Sequence, residues 1–309
     1  MTKPKSTDRE SCEHLATEAP NPSTADLGRL ASTDPVAAVG LMLEADGGLL
    51  HALRTASVDI AAVASAAASA LAAGGRLIYV GAGTSGRLGV LDAVECPPTF
   101  QVQSTRVIGV LAGGHGAMFT AVEGVEDSPE AGADDLARLD LTYKDLVVGI
   151  SASASAPYVH GAIAYANGIG ATTAMLACVS KAERADGANL SVRILTGPES
   201  LTGSTRLRAG TATKMALNMI STIAMAAGGK VHGNLMVDVN TAGNDKLLAR
   251  GRGLVAQLVP CNEERAAALL GAAGGAVKVA VVMGRSGLDR EGAQGRLDGV
   301  GGVLGDALD

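Results

Sequence analysis

The sequence has no tryptophan, two phenylalanines and four tyrosines among 309 residues, so it offers few flat rings on which unstacked bases could be read. Basic residues are also in deficit: 25 Lys and Arg stand against 31 Asp and Glu, a formal charge of −6 at pH 7. That balance argues against a nucleic-acid partner, although an acidic chain still binds phosphate locally through loops and helix ends. The four cysteines, Cys12, Cys96, Cys178 and Cys261, form no Cys-x-x-Cys or Cys/His cluster able to hold zinc and read as reduced thiols. His14, His51, His115, His160 and His232 show no metal-ligand spacing either, and each alone reads as structural or solvated. Neither a metal nor an organic cofactor is expected. The start of the chain carries no apolar signal core, and no run nears the about 18 apolar residues of a membrane span. A cytoplasmic protein with no membrane partner is expected.

What is present is aliphatic. With 47% hydrophobic residues, the chain can bury one substantial α/β core and carry a small extra domain. Apolar runs at Leu77–Val80, Val107–Leu111, Leu146–Ile150, Thr173–Ala177 and Val192–Leu195 alternate with helical segments. That alternation predicts a doubly wound, five-stranded parallel sheet. Each of four runs leads into small polar residues, at Gly81–Gly86, Gly113–Gly116, Ser151–Ser155 and Thr196–Thr205, and ligands in such sheets collect at the carboxyl ends of strands. The expected organisation is an N-terminal arm at 1–34, a sheet domain with N-terminal helices at 35–230, a connecting segment at 231–259 and a helical module at 260–309. In the last, Asn262 reads as an N-cap, and three short helices follow.

The stretch from Arg76 to Pro98 carries the most chemistry. A strand enters Gly81-Ala-Gly-Thr-Ser-Gly86, and a helix is expected from Arg87 to Val94. A helix N-terminus presents free N–H groups and the positive end of its dipole, which suits a phosphate; Thr84 and Ser85 add hydroxyls. Gly-x-Gly-x-x-Gly also fits a dinucleotide, but that reading needs a carboxylate after the next strand, about 20 residues on. Here the next strand ends in Gly113-Gly114-His115. No P-loop lysine follows the glycines, and no Ser, His and Asp set is evident, so ATP transfer and nucleophilic hydrolysis rank low. Glu95 precedes Cys96-Pro97-Pro98, where the prolines are expected to end the helix. A carboxylate there faces the unfavourable end of the dipole, which points to a use other than solvation. Glu126, in Glu123-Gly-Val-Glu126-Asp127-Ser128, reads alone as part of a solvated helix end.

With these residues in view, the chain resembles the N-acetylmuramic acid 6-phosphate etherases of the sugar isomerase (SIS) domain superfamily. The resemblance rests on Thr17-Glu18 and Asn21, Gly81 through Pro98, Ala112-Gly-Gly114, Ala121 through Ser128, Thr202 through Arg206, Gly210 through Lys214 and Gly233 through Asp238. The tail resembles the ubiquitin-associated-like module of these enzymes. The resemblance implies cleavage of the D-lactyl ether of N-acetylmuramate 6-phosphate, with Glu95 as the acid for departing lactate and Glu126 as the second catalytic glutamate, read as the base. It also implies that Gly83, Thr84, Ser85, Ser151 and Ser153 surround the phosphosugar, and that the enzyme is a homodimer. The alternatives are a phosphosugar-binding regulator without catalysis, as in the related glucokinase regulatory protein, and an aldose–ketose isomerase.

Three segments depart from the family pattern. Where members usually read Ala-Ser-Gly-x-Thr-Pro-Tyr, this chain has Ala152-Ser-Ala-Ser-Ala-Pro-Tyr158. Ala154 is expected to refuse the positive φ that glycine takes, and Ala156 lacks a hydroxyl. One lost hydrogen bond to phosphate would cost ~1.5–3 kcal/mol, or roughly 10- to 150-fold in affinity, unless Ser155 substitutes. Cys178-Val-Ser-Lys181 lacks the usual Asn-Pro turn, and Val239 through Asn244 is one residue longer than usual; changes are expected at the substrate rim and in a helix connection or subunit contact.

Overall fold

The computed structural model describes residues 15–309, so Cys12, His14 and the first part of the expected arm lie outside the described residues. The chain packs as two compact units, one running through Ala93 and then Ile108–Ile220, the other formed by Val94–Val107 and Ser221–Asp309.

In the first unit the arm is packed and partly helical from Leu15 onward. Leu15 is buried in the core cluster, the Ala16 N–H donates to Glu183 at 3.0 Å, and Asn21 reaches the Pro198 carbonyl. Four helices follow: α1 (Leu27–Thr33), α2 (Pro35–Asp46), α3 (Leu49–Thr55) and α4 (Ser57–Ala72). Asp34 caps α2 by accepting from the Ala37 N–H, and Pro35 stands at the first helical position, where a missing N–H costs nothing. Contrary to the reading that no membrane-length apolar run exists, Pro35–Thr55 has the length and mean hydropathy, 1.4, of a crossing helix. Composition cannot separate an exposed apolar helix face from a span. The stretch breaks between α2 and α3, buries Leu49 and Leu53, and pairs Asp46 with Arg208 at 3.6 Å.

The sheet alternates with the remaining helices: β1 (Leu77–Gly81), α5 (Gly83–Phe100), β2 (Val107–Leu111), α6 (Pro129–Ala137), β3 (Leu146–Ile150), α7 (Pro157–Ile169), β4 (Thr172–Ala177), β5 (Leu190–Arg193) and α8 (Arg208–Ala227). Strand order is β2-β1-β3-β4-β5, with β1, β3, β4 and β5 paired parallel. β1 and β3 are buried along their whole length, the pattern of strands covered on both faces. β5 begins and ends earlier than its apolar run, because its register with β4 pairs Ala174 with Leu190 and Ala177 with Arg193. The order reverses between β1 and β3, and ligands of such sheets collect outside the carboxyl ends of strands at a switch point of this kind.

Two expectations about α5 are corrected. The helix starts at Gly83, so Gly83, Thr84 and Ser85 occupy its first turn instead of a preceding loop, and it runs through Pro97 and Pro98 to Phe100. Proline's fixed φ is helical, and its missing N–H is tolerated here near the helix end, where the Gln101 N–H still bonds the Pro97 carbonyl at 2.9 Å. The chain leaves the helix at Gln101, whose φ is +51°.

In the second unit, α9 (Asp245–Leu258), α10 (Glu263–Ala272), α11 (Val277–Ser286), α12 (Arg290–Gly299) and α13 (Leu304–Leu308) enclose a core that includes Val239, Val255, Leu270 and Val281. Asn262 caps α10 through the Arg265 N–H at 3.0 Å. The stretch expected to connect contains α9, capped by Asn244, and the tail adds the short α13 to the three expected helices. In the lengthened segment, the Thr241 hydroxyl donates to the Gly275 carbonyl at 2.8 Å. Asp238 receives Lys230 at 2.8 Å and Lys278 at 2.9 Å.

Asp145 ties the starts of β1 and β3. Its carboxylate accepts from the Arg76 backbone N–H, the Arg76 guanidinium and the Thr142 N–H. Burial opposes its ionisation, but bonds from Arg76 and Thr142 outweigh that and hold its pKa below the ordinary carboxyl value. A carboxyl depressed on folding adds stability above its unfolded pKa, near 3.9, and loses it as pH falls through the lower folded value. Asp145→Ala, which leaves Arg76 without its carboxylate, should cost about 3 kcal/mol at pH 7 in urea unfolding. The deficit relative to the parent should shrink below about pH 4; a deficit independent of pH would contradict the assignment.

Candidate active site

The carboxyl end of β1 passes into α5 with almost no loop. A side chain on Gly86 would sit 2.4 Å from the Gly81 carbonyl and 2.5 Å from Leu111, so the first turn of α5 lies directly on the strand end. Gly83 is exposed at this turn, and Thr84 and Ser85 are half-buried. A Cβ placed on Gly210 would fall 3.6 Å from the Thr84 methyl, which brings the start of α8 beside the start of α5.

The N-terminus of α8 is already occupied by the protein's own anion. Glu199 is fully buried and accepts from the Arg208 and Ala209 N–H groups at 2.7 and 2.9 Å. Burial raises its pKa, with those two bonds opposing the rise. Sequence reading missed this residue because nothing in Gly197-Pro-Glu-Ser200 distinguishes a buried cap from a loop carboxylate.

The loop between β3 and α7 is pinned on both sides. The Ser151 N–H donates to the Leu176 carbonyl, the Cys178 N–H to Ala152, and the Ala154 N–H to Ser151. Ser151 is buried and Ser153 half-buried. Ala154 does adopt the positive φ it was expected to refuse, at +52°, with no exposure to solvent. The left-handed region costs an alanine roughly 1–2 kcal/mol, and the pinned loop together with burial of its methyl, worth about 0.8 kcal/mol, offsets the strain. The Ser155 hydroxyl lies 2.5 Å from that of Ser153. After β4, where the usual turn is missing, Ser180 and Glu183 close a turn instead: Glu183 accepts from the Ser180 N–H and hydroxyl at 2.8 Å.

Glu126 is not at a helix end; it precedes the start of α6, where Ser128 caps the Ala131 N–H and Pro129 takes the first helical position. Its carbonyl accepts from the Tyr158 N–H at 2.9 Å, which fastens the Glu126 segment to the first turn of α7. The fold thus ties the Glu126 segment to the helix that follows the serine loop. That fastening depends on α6 and α7 touching backbone to backbone: a Cβ on Gly161 would fall 1.9 Å from the Pro129 carbonyl, and one on Gly132 1.9 Å from that of Tyr158. Glu95 stands exposed on α5, in the part of that helix belonging to the second unit.

A cavity of about 450 Å³ opens beside the Glu126 segment, lined by Gly114, Val125, Asp135, Arg138 and Tyr158 among others, but by none of the anticipated site residues. The Tyr158 hydroxyl donates to Asp135 at 2.6 Å, and burial with that bond keeps the phenol protonated far above its ordinary range. Among the described residues no cluster of three or more His, Cys, Asp or Glu side chains is placed to hold a metal ion. The Cys178 thiol is raised by burial to about 12, which removes it as a nucleophile near neutral pH.

Comparison with known proteins follows the same residues. The family model for the glucokinase regulatory protein N-terminal SIS domain matches residues 59–167. The chain is 49% identical over 296 residues to an N-acetylmuramic acid 6-phosphate etherase of Synechocystis, covering 96% of each chain. It is 48% identical to an N-acetylmuramic acid 6-phosphate etherase of Salmonella choleraesuis, covering 96% of this chain and 98% of that one. Among solved structures it is similar to a phosphoheptose isomerase from Francisella tularensis, with 16% identity, a TM-score of 0.44 and coverage of 63% of this chain and 98% of that one.

Gly161→Ala tests the helix contact. Because the added methyl meets backbone, α6 and α7 must separate, and the variant should lose about 2–3 kcal/mol in chemical denaturation. The same methyl at Gly168, which has open space around it, should change stability by less than about 1 kcal/mol and serves as the control.

Proposed function

The chain belongs to the N-acetylmuramic acid 6-phosphate etherases, and from that premise we propose that it cleaves the D-lactyl ether of N-acetylmuramate 6-phosphate, yielding N-acetylglucosamine 6-phosphate and D-lactate. The observation that carries this reading is identity of nearly half over almost the full length of the etherase relatives. It is supported by the switch point between β1 and β3, strands whose carboxyl ends lead into Thr84, Ser85, Ser151 and Ser153.

The phosphate is received by the first turns of α5 and α7, whose N–H groups and dipoles favour an anion. Gly83 allows close approach, and the hydroxyls of Thr84, Ser85, Ser151 and Ser153 complete the cradle. Opening the sugar exposes an aldehyde at C1, which acidifies the proton on C2. Glu126, as base, removes that proton; the electron pair forms the C2–C3 double bond as the C3–O bond to lactate breaks. Glu95, as acid, protonates the departing oxygen. Water then adds at C3 of the unsaturated aldehyde, and C2 is reprotonated. The aldehyde delocalises the charge, so the chemistry requires no metal or organic cofactor.

The working unit is proposed to be a cytoplasmic homodimer. Exposed apolar side chains on α2, α3 and α5, including Val36, Val39, Leu43, Leu50 and Leu91, support an interface between copies. The glucokinase regulatory protein match favours, as a second reading, a sensor that binds the sugar without cleaving it. Retention of two carboxylates suited to proton transfer favours the enzyme.

D-lactate release from N-acetylmuramate 6-phosphate, measured with a binding titration, separates the two readings: release establishes the etherase, and saturable binding without release establishes the sensor. Glu95→Gln should bind sugar yet lose roughly 100-fold or more in lactate formation, while still exchanging the C2 proton with deuterated water. Glu126→Gln should lose both activities. Exchange surviving in Glu126→Gln and vanishing in Glu95→Gln would reverse the roles.

A further inference from the structure

His160 was read as structural or solvated, but its ring is aimed back at the serine loop. It lies in the first turns of α7, with Nε2 2.7 Å from the Ala154 carbonyl. A carbonyl only accepts, so Nε2 carries the proton. We infer that His160 is a positioning residue for the phosphosugar: its bond to the Ala154 carbonyl holds the Ala154–Ser155 peptide so that the Ser155 N–H is presented to the sugar phosphate. This rests on the proposed reading of the serine loop as part of the phosphate cradle.

Three observations lead there. Ala154 sits at φ +52°, a conformation an alanine holds only when its surroundings fix it. Its N–H bonds the Ser151 carbonyl and its own carbonyl takes His160, so the residue is held from both sides. In a planar trans peptide the N–H points opposite the carbonyl. Turning the Ala154 carbonyl toward His160 therefore turns the Ser155 N–H away from the ring. Finally, the start of α7 is open. Ala156 provides no side-chain cap, and among the described residues the Ser155 and Ala156 N–H groups have no hydrogen-bond acceptor, whereas the Tyr158 N–H is taken by Glu126 and the Val159 and His160 N–H groups by Ala156. The two open donors belong to Ser155, whose hydroxyl lies 2.5 Å from that of Ser153, and to the residue after it. Without the histidine, the peptide preceding them is free to rotate, and a phosphate must order it on binding.

The test compares wild type, His160→Leu, which keeps bulk and removes the donor, and His160→Gln, whose side-chain amide can donate from a similar position. Initial rates of lactate release give kcat and KM for N-acetylmuramate 6-phosphate. Titration with N-acetylglucosamine 6-phosphate, alongside unphosphorylated N-acetylglucosamine, isolates the contribution of the phosphate, and thermal melts confirm folding. His160→Leu should raise KM and the dissociation constant of the phosphorylated sugar by about 10-fold or more, with kcat within about 2-fold. Weak binding of the unphosphorylated sugar should not change, and His160→Gln should recover most of the loss. An unchanged KM in a folded His160→Leu variant, equal losses in Leu and Gln, or a fall in kcat alone would overturn the inference. If Leu fails to fold, Gln decides alone: a KM raised 10-fold or more despite its retained donor overturns the inference, and a KM near wild type supports it. Wild type that neither binds nor cleaves the phosphosugar overturns the cradle itself, and this inference with it.

Discussion

Where α6 crosses α7, there is no room for a methyl group. Gly132 faces the Tyr158 carbonyl and Gly161 the Pro129 carbonyl, and the two helices are held at backbone distance. Everything proposed for Glu126 depends on that approach. Its segment enters α6 through the Ser128 cap and is fastened to α7 by the Tyr158 N–H. A wider crossing would carry the Glu126 segment away from the start of α7.

The same economy of donors governs the helix starts around the proposed phosphate cradle. Helix starts near the carboxyl edge of the sheet each offer an anion several free N–H groups, and the protein spends one internally. Glu199 closes the start of α8 at the cost of burying a carboxylate whose pKa rises in consequence. The start of α7 is left without a side-chain cap. Donors left open at that helix start are free for water or a ligand, and the proposed cradle takes them for the sugar phosphate.

Departures from the family pattern were absorbed without loss of the local framework. Alanine replaces the usual glycine at 154 yet holds the left-handed conformation, because hydrogen bonds on both sides of the residue fix it. A serine at 155 pairs with Ser153 where the usual threonine hydroxyl is missing at 156. After β4, a Ser180–Glu183 turn stands where Asn-Pro is usual, and Glu183 also receives the backbone of Ala16, linking the arm to this loop.

By itself the sequence determined the five strands, the alternation with helices, the strand-to-helix turn at Gly81–Gly86 and the Asn262 cap, because apolar periodicity, glycine and capping chemistry act over a few residues. It also carried the family likeness, since long irregular motifs such as Gly81 through Pro98 survive without any structure. Local rules misled at the two prolines of α5, where helix geometry is set by neighbours through Phe100, and at Ala154, where intrinsic preference yields to hydrogen bonds with Ser151 and His160. Tertiary structure alone decided that the Glu126 segment is fastened to α7, that Glu199 silences α8, and that His160 turns back onto Ala154. Those are contacts between segments distant in sequence or facing across a helix turn, and their energy comes from packing and donor–acceptor geometry that no run of letters encodes locally.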